Sequence, residues 1–167
     1  MKKVISLILC LFLVGCVYGC KKSITYQQPV TFYYLQRDPS YDSNSKTIQA
    51  HILEGKDLKD FQETILTYLQ GPEDASLYSP FPANMLLLGY ETFEQTLYLT
   101  FSDELGTLSG LELTLACCCL ALTAMDLTGM DQVNISADRA LLDGERSIQL
   151  SRDTILLMDL IQQPHTD

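Results

Sequence analysis

The segment from Leu115 to Leu122 contains only apolar residues, and it places the strongest constraint on how this chain folds. A helix that is apolar on every side is buried, either in a protein core or in a membrane. The apolar stretch between Glu112 and Asp126 is about thirteen residues long, short of the roughly twenty needed to cross a bilayer. We therefore expect this segment to form the central core helix of a folded domain.

Start and stop signals for this helix are present on both sides. Ser109 and Glu112 have the Ser-x-x-Glu spacing of a capping box, in which each side chain bonds a free amide at the helix start. Gly129 lies where a left-handed residue would end the helix. The sequence predicts a helix from about Gly110 to Leu127.

Three consecutive cysteines, Cys117, Cys118 and Cys119, lie in the middle of the predicted helix. Consecutive side chains of a helix point about 100° apart, so the three thiols do not converge on one metal ion. The chain has no Cys-x-x-Cys pair, and a disulfide framework is not indicated. We interpret the three cysteines as small apolar packing residues, and we expect no cofactor and no metal.

The first sixteen residues resemble a bacterial lipoprotein signal. Lys2 and Lys3 precede an apolar run, and Leu13-Val14-Gly15-Cys16 places small residues before a cysteine that would be acylated. Residues 1–15 are then a signal peptide and Cys16 is the lipidation site. Cleavage as an ordinary secretory signal and retention as a membrane helix are the alternatives, and Cys20 offers a second, less favourable site.

Acylation at Cys16 would attach the protein to a membrane. Each buried methylene contributes about 0.8 kcal/mol, and a cysteine carrying a diacylglyceryl group with palmitate-like chains supplies at least two chains. Residues 16–28 form a polar tether, of which twelve residues reach about 40 Å at most. We expect a lipid-anchored protein on the extracytoplasmic face of the cell membrane.

The mature chain is strongly acidic. The formal net charge of −10 becomes −12 when Lys2 and Lys3 are removed with the signal peptide. Nucleic-acid binding needs clustered Lys and Arg to displace counterions, so a nucleic-acid partner is not expected. The length after the tether fits one domain, which we place at residues 29–163, with a disordered tail at 164–167.

The remaining pattern mixes strands and helices. An apolar stripe with three- and four-residue steps predicts a helix that begins after Asp57 as N-cap and ends at Gly71-Pro72. Strands are predicted at 30–35, 47–53, 133–135 and 147–150, a hairpin at 85–93 and 97–101, and a terminal helix at 154–161. The order favours an α+β fold, with two main helices packed on one face of a mixed or antiparallel β-sheet.

The segment that follows the first helix resembles a family signature. Leu69-Gln70-Gly71-Pro72 is similar to the Leu-x-Gly-Pro that ends a leucine-rich helix in the GerMN domain of spore germination and sporulation proteins. The loop that continues through Pro80 and Pro82 is similar to the proline-containing loop of that domain. Weaker similarities follow at 98–102, 116–125 and 131–135, so the resemblance covers roughly residues 30–150.

The resemblance implies a compact domain similar to the ring-building domains of cell-envelope assemblies, usually on a lipoprotein or membrane anchor and without known enzymatic activity. It assigns structural roles to Leu69, Gly71, Pro72, Pro80 and Pro82. The functional hypothesis is a non-catalytic module that binds an envelope protein or its own copies in sporulation or germination.

Two other classes of function remain open. One is a binder of a cell-wall polymer or a small ligand, because tyrosine rings could stack on sugars. The tyrosines considered for this role are Tyr33, Tyr34, Tyr41, Tyr78, Tyr90 and Tyr98. An enzyme has little support. The chain has two histidines, His51 in a predicted strand and His165 in the tail, and the carboxylates of Asp103 and Glu104 are more typical of a solvated connector.

Overall fold

The computed structural model describes residues 29–37, 47–53, 58 and 60–155. The two helices longer than one turn within these ranges are α1 (Phe61–Leu69) and α2 (Gly110–Thr128), and a short 3-10 helix spans Asp103–Thr107. The strands are β1 (Val30–Gln36), β2 (Ile48–Leu53), β3 (Leu77–Tyr78), β4 (Leu87–Phe93), β5 (Thr96–Phe101), β6 (Gln132–Ala137) and β7 (Ile148–Ser151).

The strands form two sheets. One has the order β2-β1-β3, with antiparallel pairing throughout. The other has the order β4-β5-β6-β7, in which β5 and β6 are parallel and the outer pairs are antiparallel. Helix α2 connects the two parallel strands, as a parallel pair requires a crossover connection.

Helix α2 lies between the two sheets. It packs against β1 of the smaller sheet and against β6 and β7 of the larger one. With 19 residues and a mean hydropathy of 1.6, it is long and apolar enough to cross a membrane. Eleven of its residues are nevertheless buried inside the domain, so α2 is the central core helix that its composition predicts.

The α+β class with two main helices is confirmed, and the sheet arrangement adds a detail that the sequence did not indicate. The strands divide into two sheets because α2 is apolar all round and needs apolar partners on opposite sides. The bounds of α2 agree with the prediction to within one residue. Gly129 has φ +68° and ends the helix in the left-handed conformation, as expected.

Helix α1 begins later than predicted. Its N-cap is Asp60, whose side chain accepts a hydrogen bond from the Glu63 N–H at 2.7 Å, so the expectation for Asp57 was wrong. An N-cap side chain reaches the amide two or three residues ahead, and Asp60 stands three residues before Glu63. The end of the helix agrees with the prediction, because Gly71 has φ +94°, a left-handed conformation that a Cβ would strain.

The start of α2 is capped by a distant residue and not by a capping box. Ser109 is the N-cap by position, but its side chain makes no capping hydrogen bond, so this prediction was wrong. The Gly110 N–H donates instead to Asp143 Oδ2 at 2.8 Å. Asp143 lies in the turn that joins β6 to β7, so the cap links two parts of the domain.

Side chains from both helices replace a missing strand neighbour along β1. The Tyr33 N–H donates to Thr123 Oγ1 at 3.0 Å, and the Tyr33 carbonyl accepts from the Tyr68 hydroxyl at 2.5 Å. Because β3 pairs with β1 only at Leu35 and Gln36, these two groups of Tyr33 have no strand partner on that side. Thr123 of α2 and Tyr68 of α1 thus complete the hydrogen bonding of β1.

The backbone is helical at 152–155, directly after β7. Arg152 forms an ion pair with Asp126 of α2, and Asp126 also accepts a 2.7 Å hydrogen bond from the Tyr33 hydroxyl. The helix predicted at 154–161 therefore starts earlier, and its remainder lies outside the described residues. The signal peptide, Cys16, the tether, Tyr41, His165 and the tail lie outside them too.

Candidate interaction surface

A groove opens beside the first turns of α2, and we call it the proline groove. Its volume is about 250 Å³. The lining comes from the segment after α1, from α2 with Leu108 two residues before its start, and from the end of β1. The lining residues are Leu35, Tyr78, Ser79, Pro80, Phe81, Pro82, Leu108, Glu112 and Leu115.

The signature residues build one wall of this groove. Gly71 passes close to Ser79, because a Cβ on Gly71 would lie 3.5 Å from the Ser79 Cβ. The rings of Tyr68 and Phe81 meet edge to face at a centroid distance of 5.0 Å. The end of α1 therefore positions the loop that carries Pro80 and Pro82, and each proline fixes its own φ.

Pro72 and Leu69 occupy supporting positions. Leu69 is half-buried and packs on the core cluster from the last turn of α1. Pro72 lines a second cavity of about 250 Å³ next to β1 and β2. The structural roles that the sequence predicted for these residues stay predictions.

Exposed apolar surface lies both in the groove and next to it. Tyr78, which lines the groove, is 40% exposed, and Leu111, which does not line it, is 59% exposed. Leu111 precedes Leu115 by four residues, so both side chains lie on one face of α2 and Leu111 extends the apolar wall outward. Exposed apolar residues next to a concave apolar site are typical of binding surfaces.

Glu112 supplies the only ionisable carboxylate of the groove, and no Lys, Arg or His is among the residues that line it. Its side chain is exposed, and it has no hydrogen-bonding or ionic partner within the part of the chain that the structure describes. The groove is therefore apolar inside and negative at its margin.

The second cavity contains His51, the histidine considered for catalysis. Its ring lies 6.4 Å from that of Tyr34, and Gln70, Gly71 and Glu73 complete the surroundings. The sequence placed His51 in a strand, and it is in β2. In the described ranges no group of three or more His, Cys, Asp or Glu is placed to hold a metal ion.

Asp103 and Glu104 act on the local backbone. Asp103 Oδ1 accepts hydrogen bonds from the N–H groups of Arg139 at 2.8 Å and Ala140 at 3.0 Å. These bonds, first of all the one from Arg139, lower the pKa of Asp103, and a hydrogen bond from Ser102 lowers that of Glu104. Carboxyl groups with lowered pKa values are poor general acids near neutral pH.

The three cysteines are buried inside α2 at 1%, 3% and 0% exposure. Burial raises the pKa of Cys117 to about 12 and that of Cys119 well above its usual value. A thiol reacts as its thiolate, so both groups are unreactive near neutral pH.

The tyrosines fall into two groups. Tyr33 and Tyr34 are bonded inside the domain, and the Tyr34 hydroxyl donates to the Tyr68 carbonyl at 2.9 Å. Tyr78 and Tyr90 are exposed at 40% and 42%. Tyr98 is half-buried on the face of the larger sheet that is turned away from α2, which we call the outer face.

Comparisons with known proteins agree with this geometry. The family described as "Germane: Sporulation and spore germination" matches residues 31–143. The structure of the tandem GerMN domains of the sporulation protein GerM from Bacillus subtilis is similar, with a TM-score of 0.53 and 18% identity. That match covers 81% of this chain and 48% of the other, so the chain spans about half the length of the tandem structure.

A second similar structure is a crystal structure of a candidate lipoprotein from Clostridium perfringens. Its TM-score is 0.43 at 18% identity, over 75% of this chain and 89% of the other. A search of curated protein sequences gave no match.

The fold therefore defines an α+β domain of the GerMN type, as the resemblance in the sequence predicted. Because the family match extends over more than half of the chain, the protein belongs to the Germane family of sporulation and spore germination proteins. The proline groove itself was not predicted from the sequence. Its members lie between positions 35 and 115 and come together only through the fold, although Pro80 and Pro82 were singled out as signature residues.

Proposed function

We propose that this protein is an extracytoplasmic lipoprotein whose GerMN-like domain acts in sporulation or spore germination by binding another envelope protein. The observation that carries the proposal is the family match over residues 31–143, which spans both sheets and both helices up to the turn before β7. Cys16 would hold the protein on the membrane, and residues 17–28 would let the domain reach away from it.

A non-catalytic role is supported by what the chemically capable groups do. The carboxylate of Asp103 clamps the backbone at Arg139 and Ala140, and the thiols of α2 are packed in the core. The proline groove, in contrast, combines an apolar interior with exposed apolar neighbours, as protein-binding surfaces do. The domain works by contact, with neither cofactor nor metal.

The anchor is tested by replacing the two cysteines near the start of the mature chain. Cys16→Ser abolishes acylation, so the protein should be lost from the membrane fraction or remain as an unprocessed precursor. Cys20→Ser is the matched control and should fractionate with the membrane like the wild type. Equal behaviour of the two variants in fractionation and mass spectrometry would contradict lipidation at Cys16.

The biological role is tested by deleting the gene in a spore-forming host. The deletion should lower the yield of heat-resistant spores or slow the loss of optical density during germination, and the wild-type gene should restore it. The Cys16→Ser variant should restore it less well. A deletion strain that sporulates and germinates normally would refute the proposed function.

A second candidate, binding of a cell-wall polymer, is favoured by the outer face of the larger sheet. There Tyr98 pairs with Asn134, and Asn134 pairs in turn with Gln149, so an aromatic ring lies beside two amides. Sugars stack on aromatic rings and bond to amides. Sedimentation with purified peptidoglycan tests this role: Tyr98→Ala should reduce binding, whereas Tyr90→Ala should not.

A further inference from the structure

We infer that the proline groove binds a basic, apolar segment of a partner protein, with one bulky apolar side chain in the groove and a Lys or Arg beside Glu112. The inference rests on the proposed function, since it names the surface and the chemistry of the envelope partner. It follows from the size of the groove, its charge and its surroundings.

The size of the groove fits a side chain better than a whole small molecule. Ligand pockets usually measure roughly 300–1,000 Å³. The proline groove measures about 250 Å³, and prolines and aromatic residues are among those that line it. Such a pocket suits an anchor residue of a protein interface, where one apolar side chain is fully desolvated.

The surroundings of the groove supply the rest of a small interface. Tyr78 lines the groove and Leu111 lies one helical turn before the lining residue Leu115, and both are exposed. Contacts of this kind around an anchor exclude water and strengthen the central interaction. A partner segment would therefore cover Tyr78 and Leu111 while its anchor fills the groove.

The negative charge at the groove favours a partner segment that carries positive charge. Glu112 is the only Asp, Glu, Lys, Arg or His in the lining, and the whole chain carries a formal net charge of −10. A cation next to the anchor complements Glu112, and complementary charge also speeds association. A second copy brings the same excess of carboxylates, and the headgroups of an anionic membrane repel the groove, so neither fits as well.

The experiment measures photo-crosslinking of peptides to the full chain in neutral detergent. The photoreactive residue p-benzoylphenylalanine replaces Tyr78 in one version and Tyr90 in the control, because these tyrosines have nearly equal exposures of 40% and 42%. The probes are three biotinylated peptides: KKSLFG, its charge-reversed form EESLFG, and KKSSSG, which lacks the apolar anchor.

We expect KKSLFG to crosslink at position 78 at least about fivefold more than EESLFG in low salt, since attraction to Glu112 is replaced by repulsion and each exposed charge pair contributes a factor of about two to five. KKSSSG should also crosslink less than KKSLFG, because it has no apolar side chain to bury in the groove. Position 90 should not distinguish the three. Glu112→Gln should remove the preference for KKSLFG over EESLFG, and Glu112→Lys should reverse it. A reversal requires a folded groove, so it also excludes simple unfolding of the variant.

Equal yields for the three peptides, or a preference unchanged by Glu112→Lys, would overturn the inference. Crosslinked dimers of the chain through position 78 without peptide would overturn it in favour of a second copy. Lipid adducts at position 78 in anionic vesicles would overturn it in favour of the membrane. If the peptides do not crosslink as expected but the deletion strain has a spore defect, this inference is wrong and the proposed function stands. If the peptides crosslink as expected but the deletion strain forms and germinates spores normally, the proposed biological role is wrong and this inference stands.

Discussion

Removing the hydroxyl of Tyr68 tests how the edge of β1 is held. In the wild type this hydroxyl donates to the Tyr33 carbonyl, and the side chain of Tyr68 is fully buried. Tyr68→Phe keeps the ring contacts with Phe32 and Phe81, but it leaves the carbonyl without a donor. Thr123→Val removes, in the same way, the acceptor of the Tyr33 N–H.

A buried polar group that loses its partner costs about 1–3 kcal/mol. We therefore expect each substitution to lower the free energy of unfolding by about 2 kcal/mol. With an m-value of about 2 kcal/mol/M, the urea midpoint should fall by about 1 M. Circular dichroism during urea titration measures this shift, and a double-mutant cycle should show coupling because both side chains bond to Tyr33.

The matched control is Tyr90→Phe. Tyr90 is 42% exposed and its hydroxyl has no hydrogen bond within the described ranges, so the change should be less than about 0.5 kcal/mol. If Tyr68→Phe and Thr123→Val also cost less than about 0.5 kcal/mol, the two hydroxyls do not replace a strand neighbour, and the explanation of the β1 edge is wrong.

The same site predicts how stability depends on pH. Burial raises the pKa of Tyr68 well above 10, and burial, followed by the Asp126 hydrogen bond, raises that of Tyr33 to about 12. The unfolded chain releases these protons near pH 10 while the folded chain keeps them, so stability is complete below pH 10 and falls above it. Tyr68→Phe should make the decline between pH 10 and 11 less steep.

Three further substitutions or treatments test other contacts. Gly106→Ala places a Cβ 2.5 Å from that of Ala140, so thermal unfolding should show a clear loss of stability, which Ala140→Gly should largely restore. Asp143→Ala removes the cap at Gly110 and should cost about 1 kcal/mol in urea titration; no change would refute the cap. Because burial raises the pKa of Cys117, the thiols of residues 117–119 should react with Ellman's reagent at pH 8 only after urea is added; in a Cys20→Ser background, rapid labelling of these three thiols in the native protein would contradict their burial.

The sequence predicted those elements whose signals are local. The apolar run predicted α2 and the alternation predicted β5, because each pattern depends on the burial of neighbouring residues. Gly129 predicted where α2 ends. The cap of α2 depends on Asp143, which lies 33 residues beyond Gly110, so the nearby Ser109 and Glu112 gave a misleading signal.

Other errors came from competition between similar residues and from short elements. Asp57 and Asp60 are equally good N-caps by type, and only the position of the first helical turn distinguishes them. Strand β3 has two residues within a proline-containing loop, too few for an alternation pattern. The groove depends on β3, because its pairing with β1 brings Tyr78 next to Leu35.

The course of β1 determines how the domain would carry a mechanical load. The strand leads from Val30, which follows the proposed tether, to Leu35 at the proline groove. A pull between the proposed anchor and a proposed partner in the groove would therefore be directed along β1. Hydrogen bonds of an antiparallel pair are perpendicular to the strands, so the whole ladder between β1 and β2 would resist this pull in shear and would not open one bond at a time.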